Sequence, residues 1–143
     1  MKKWFVMSIL LMSVKNTFSA TAINWELLKN LEFDKTNKIK PLKSELKKIL
    51  NTEISLKGFM MPIDYDSKSV SEFLFMPYIP SCMHVPPPPA NQLIFVKMKK
   101  GLSVVPSFSP VEIEGKILLE ENKELESSYK IEGLKINDMN KKQ

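Results

Sequence analysis

Ile54-Ser-Leu-Lys-Gly58, Val111-Glu-Ile-Glu-Gly115 and Tyr129-Lys-Ile-Glu-Gly133 share one form: apolar, polar, apolar, charged, glycine. Alternation at period two puts the apolar side chains on one face of a strand. The glycine that closes each run marks a bulge or sharp bend, the device that curls a small sheet back on itself. Two further runs, Ser71-Glu-Phe-Leu-Phe-Met76 and Gln92-Leu-Ile-Phe-Val-Lys-Met98, read as strands from their aromatic and β-branched content. Turn residues at Asp64–Ser67, at Lys100-Gly101 and at Asn122-Lys123 separate the runs. Five short strands with curving glycines predict a mainly β (β-rich α+β) fold: a small, five-stranded, partly open barrel resembling the oligonucleotide/oligosaccharide-binding (OB) fold. A two-layer sandwich is the alternative.

Working outward, two short helices precede the strands. Leu27, Leu28 and Leu31 stand at helical spacing in Trp25–Leu31, with Asn24 as the cap. After a polar, lysine-rich connector from Phe33 to Lys40, Pro41 suits a first helical turn, and Leu42, Leu46, Ile49 and Leu50 form one apolar stripe. The second helix is therefore expected over 41–50.

The N-terminus has the layout of an export signal. Lys2-Lys3 precede an apolar run from Trp4 to Val14, and small residues follow at Ala20-Thr21-Ala22. The run is about half the roughly 20 residues that a bilayer span needs, so cleavage after Ala22 is expected, with no membrane span afterwards. Residues 1–22 are then the signal peptide and 23–143 one domain in the periplasm. Lys2, Lys3 and Lys15 leave with the signal, which reduces the formal charge of +5 to +2. Every basic residue is lysine, and without guanidinium forks nucleic-acid recognition is not expected. Four glycines leave little room for a phosphate-binding loop. The glutamates from Glu112 to Glu126 read as a solvated face, with cation binding the lesser alternative.

The chemistry-bearing residues concentrate in Tyr78-Ile-Pro-Ser-Cys82-Met83-His84-Val-Pro86-Pro87-Pro88-Pro89-Ala-Asn91-Gln92, which holds the only cysteine, the only histidine and five of the ten prolines. Consecutive prolines lack backbone N–H groups and have fixed φ, so Pro86 to Pro89 favour a stiff polyproline II rod of about 12 Å. An ordinary hairpin would use flexible residues here. Asn91 and Gln92 supply side-chain amides that can bond the proline carbonyls or orient a ligand.

Three functional readings of this segment stay open. Cys82 and His84 place a thiolate and an imidazole close together, a beginning for zinc or copper. Two ligands do not complete a site, so a third must come from Met83, Met76, a carboxylate or another subunit. The nine methionines, including Met60 and Met61, make a cuprous thioether site conceivable but are more often core filler. Alternatively the proline ridge docks a protein partner, with Tyr78 and Phe75 packed beneath it, and Cys82 is a small buried apolar residue. In the third reading Cys82 is a nucleophile, His84 its base and Asn91 the orienter. An i, i+2 pair on one loop is a poor arrangement for a substrate to lie between. The balance leans away from an enzyme and toward an accessory or ligand-binding protein.

Trp25-Glu-Leu27, Leu56-Lys-Gly-Phe-Met-Met-Pro62, Glu72-Phe-Leu-Phe-Met-Pro-Tyr78 and Cys82-Met-His-Val-Pro-Pro-Pro-Pro-Ala-Asn-Gln92 together resemble a bacterial family catalogued as domain of unknown function 3299. The resemblance covers roughly residues 24–120. It implies an exported or lipid-anchored protein and an envelope or ABC-transporter component as partner, since some members stand beside transporter genes, including ones linked to metal uptake. The chain departs from the family pattern at Ile79-Pro80-Ser81, where a small, glycine-containing segment is usual.

Overall fold

The computed structural model describes residues 19–80 and 84–140. The strands are β1 (Thr21–Ala22), β2 (Glu53–Pro62), β3 (Glu72–Met76), β4 (Ile94–Met98), β5 (Val111–Asn122) and β6 (Ser127–Asp138), with helices α1 (Trp25–Leu28) and α2 (Ser44–Ile49) before β2. The five expected strands are present, and β1 is added as a two-residue parallel edge on β2. Hydrogen-bonded neighbours run β2-β3-β4-β6-β5, and β5 pairs back onto β2, so the sheet is a five-stranded barrel. Within this ring only β4 and β6 run parallel. This is the mainly β, OB-like architecture expected, and ring closure eliminates the sandwich.

The glycines act at the bends. Gly58 is the last β2 residue paired with β5, and Phe59 begins the pairing with β3, so β2 turns the corner there. A Cβ on Gly58 would lie 2.7 Å from the Met76 carbonyl oxygen. Gly115 pairs with Gly133 at a register shift in β5–β6, where Leu134 is the extra residue. Tyr129 and Ile131 on β6, with Val111, Ile113 and Ile117 on β5, point inward and are buried.

Outside the barrel, the alternate positions carry charge in register. Glu72 of β3 faces Lys97 of β4, which faces Glu132 of β6, which faces Lys116 of β5, which faces Glu53 of β2. The opposite charges cross all five strands as one belt, and Lys97 Nζ lies 2.7 Å from Glu72 Oε1.

Leu28, Leu31, Leu46 and Ile49 of the N-terminal region join the barrel residues in one buried cluster. Asn24 caps α1 by accepting from the Leu27 N–H, as expected. Trp25 Nε1 donates to the Lys57 carbonyl at 2.7 Å, and its ring packs on Phe75 at 5.7 Å between centroids. α1 ends three residues earlier than expected, although Leu31 is still buried in the following turn. α2 also starts late, at Ser44 rather than Pro41, and its N-cap Lys43 makes no side-chain cap bond. The lysine-rich connector is a small hairpin in which Phe33 bridges Ile39 and Lys40 N–H donates to the Glu32 carbonyl. Pro41 and Leu42 are used to leave that hairpin before the helix begins. Asp34 stabilises the turn by accepting from the Thr36 hydroxyl and the Thr36 and Lys38 N–H groups, which hold its carboxyl below the usual range.

Candidate functional site

The β3–β4 connection carries the proline segment at the end of the barrel that also holds the α1 region and the β5–β6 turn. This follows from the strand directions: β3 and β5 run toward this end, while β2, β4 and β6 run away from it. Ser81, Cys82 and Met83, hence two of the proposed metal donors, lie outside the described residues. His84 is exposed on the turn that opens the rod. Pro86, Pro87 and Pro89 are exposed, Pro88 is buried, and Val85 is 38% exposed. Pro89 has φ −68° and ψ 161°, within the polyproline II region.

Two side chains hold this segment. The Tyr78 hydroxyl donates to the Pro86 carbonyl at 3.1 Å, bridging the start and middle of the loop. At the far end, Asn91 Nδ2 donates to the Leu31 carbonyl at 3.1 Å and the Lys29 carbonyl at 3.4 Å. The expectation that Asn91 would bond the proline carbonyls is thereby corrected. Carbonyls after a helix end lack intrahelical partners, and they receive the amide instead. Asn91 is committed to this anchor, which leaves it poorly suited to orient a catalytic histidine. Its buried Oδ1 has no hydrogen-bond partner among the described residues.

Gln92 belongs to a single 3-10 turn, Ala90–Gln92, and not to the start of β4. The turn forms because the Gln92 N–H donates to the Pro89 carbonyl at 2.8 Å, where the rod stops. Beside it Tyr129 is fully buried, its hydroxyl donating to the Leu28 carbonyl at 2.9 Å. Burial pushes the Tyr129 phenol up, so it stays protonated and structural.

Other expected site residues fall elsewhere. Met60 is buried in the core cluster, as the core-filler reading expects, and Met76 is buried as well. Phe75 is buried in the core cluster and packs against Trp25. Of the acidic residues, Glu112 accepts from the Ser55 hydroxyl and Glu120 pairs with Lys130. Among the described residues no group of three or more His, Cys, Asp or Glu side chains converges.

A family described as a protein of unknown function, DUF3299, matches residues 12–138. The chain belongs to this family. A crystal structure of a DUF3299 family protein from Pseudomonas aeruginosa is similar over 87% of this chain and 99% of that one, with 22% identity and a TM-score of 0.63. DUF3299 membership and the shared fold thus agree with the resemblance carried by the proline-flanked motif. A putative aspartyl-tRNA synthetase from Leishmania major is also similar, at 10% identity and a TM-score of 0.46, over 92% of this chain and 23% of that one. No curated protein matches the chain.

Proposed function

We propose that this DUF3299 protein is an exported, periplasmic accessory protein that binds without turnover, and that the Ser81–Gln92 loop is the element it presents to an envelope partner such as an ABC-transporter component. The double anchoring of the loop supports this reading most. Tyr78 fixes the rod at Pro86, Asn91 fixes its end to the carbonyls after α1, and the prolines between have little backbone freedom left to lose. A preformed rod with exposed Val85, Pro86 and Pro87 loses little entropy on docking and suits an aromatic-lined groove. A photo-crosslinking residue placed at Pro87 in cells tests it. The expected result is one envelope-protein adduct that disappears in Asn91→Ala and is absent when the crosslinker is moved to exposed Lys68. Equal adducts from both positions, or none from Pro87, overturn the reading.

A second reading draws on His84, exposed two residues from Cys82. The pair offers an imidazole and a thiolate to zinc or cuprous copper, with Met83 or a partner residue completing the set. Elemental analysis of protein purified under reducing, chelator-free conditions separates the two. Near-stoichiometric metal that is lost in the Cys82→Ser/His84→Ala variant supports metal handling, and its absence from both proteins removes that reading.

A further inference from the structure

Period two carries the inward row of β6 from Ile131 to Tyr129 and then to Ser127, so a hydroxyl stands where the alternation calls for another apolar side chain. Ser127 is 2% exposed, and its Oγ has no hydrogen-bond partner among the described residues. The other buried side-chain atom in that state among the described residues, Asn91 Oδ1, belongs to the same end of the barrel. Buried polar groups are normally paired, so an orphan at the lip of a barrel takes its partner from solution.

Ser127 lines a cleft of about 280 Å³ where three connections meet. The Phe33–Ile39 hairpin brings Phe33 and Asn37 to it, the 3-10 turn after the proline rod brings Ala90, and the β5–β6 turn with its flanks supplies the remaining side chains. Asn37 and Glu126 have φ of 58° and 52°, so both turns reverse tightly beside the opening. The volume is close to the lower limit of small-molecule sites, about 300 Å³, and suits one compact ring.

The lining decides the ligand class. Its charged groups are Glu121 and Glu126 against Lys123, a balance that disfavours an anion. The lysine also disfavours a metal ion, and no group of three acidic, imidazole or thiol side chains converges among the described residues. An apolar ligand would strand the Ser127 and Ser128 hydroxyls and the Asn37 amide. Asn122 Oδ1 already accepts from the Glu124 and Leu125 N–H groups, so that residue offers only its Nδ2 donor. Lys123 likewise only donates, the two carboxylates only accept, and the hydroxyls and the Asn37 amide do both. A ring carrying several hydroxyls, each both donor and acceptor, meets that mixture without a net charge of its own. Its C–H face matches the Phe33 ring and the Ala90 methyl group.

We propose that this cleft binds a neutral saccharide ring, with the Ser127 hydroxyl bonded to a ring hydroxyl and Phe33 against the C–H face. The inference depends on neither the partner nor the metal reading of the proline loop, since no described residue of 78–89 lines the cleft. Titrating isotope-labelled protein with glucose and, separately, with N-acetylglucosamine while following its amide NMR signals tests it. Glycine serves as the zwitterionic comparison and inorganic phosphate as the anionic one. At least one sugar should give saturable shifts at Ala90 and over residues 122–128 at millimolar concentration, and none at Val104 and Val105 on the opposite loops. Ser127→Ala should weaken that binding about tenfold, the worth of one hydrogen bond. It should nevertheless melt at or above the parent temperature, because it removes an unpartnered buried hydroxyl. Asn37→Gly should also weaken binding with the fold kept, since glycine takes the φ of 58° without strain. The absence of saturable shifts with both sugars, or saturation by glycine or phosphate alone, overturns the proposal. Undiminished affinity in Ser127→Ala overturns it as well, and a lowered melting temperature alongside that result would assign the hydroxyl to the fold.

Discussion

Gly115 has no room for a side chain: a Cβ there would lie 2.4 Å from the Glu132 carbonyl oxygen and 2.8 Å from Ile131 Cγ2. Gly115→Ala must therefore push two barrel strands apart, and we expect a loss of about 3 kcal/mol in urea unfolding. Gly101→Ala is the contrast, since its Cβ would meet nothing within 4 Å and only the φ of +86° opposes it. We expect a cost of about 1 kcal/mol there. Asn91 is the other residue with separable consequences. Asn91→Ala removes the amide from the Leu31 and Lys29 carbonyls and should cost about 1–2 kcal/mol, while Asn91→Asp should cost more because a carboxylate would face the same two carbonyls without a donor. Thermal unfolding of the three proteins in parallel checks that order. The bends at the glycines were legible because a glycine ending an alternating run has a local cause. The anchoring role of Asn91 was not, because Leu31 is 60 residues away in sequence and nothing local names it.

Among the elements, strand identity was readable and strand extent was not. Leu27 and Leu28, Phe73 and Phe75, and Ile94 and Val96 carried the pattern that the core uses, but β5 and β6 each run on beyond their alternating stretch because each supplies the other's backbone partners. Pro41 misled for a related reason: its suitability for a first helical turn is local, whereas the Phe33–Ile39 hairpin decides where the chain leaves for α2. β1 had no apolar pattern to find. Thr21 and Ala22 pair with Ile54 and Ser55, and the Ile23 N–H donates to the Ser55 carbonyl at 2.9 Å. Cleavage after Ala22, as expected from the signal sequence, would remove β1 and turn that amide into a charged terminus. A chain starting at Ile23 should then be less stable than one starting at Ala20 by about 1 kcal/mol, the worth of one or two exposed backbone hydrogen bonds. Comparing the urea midpoints of the two proteins tests this. Equal midpoints would mean that β1 adds nothing to the barrel.

At the scale of the whole molecule, the lysine-rich composition looks different once the barrel is closed. Lys97 and Lys116 alternate with Glu72, Glu132 and Glu53 across the outer face, and no linear reading of the sequence brings those five residues together. Their positions depend on which strands become neighbours, above all on the parallel β4–β6 pair. Exposed pairs are individually weak, and their joint effect is register: sliding a strand by two residues keeps the apolar face inward but breaks the charge alternation. Lys116→Glu tests this role, since it sets a carboxylate directly between Glu53 and Glu132. It should lower stability by about 1 kcal/mol or less at low salt, roughly twice the effect of Lys116→Gln, which removes the attraction without adding repulsion. Raising the salt to about 0.5 M should bring the two variants together, because the charges are exposed and the screening length falls to a few ångströms. Urea titrations of both variants at low and high salt measure that convergence. A difference that persists undiminished at high salt would show that Lys116 acts through packing rather than charge, and the belt would then have no part in holding the register.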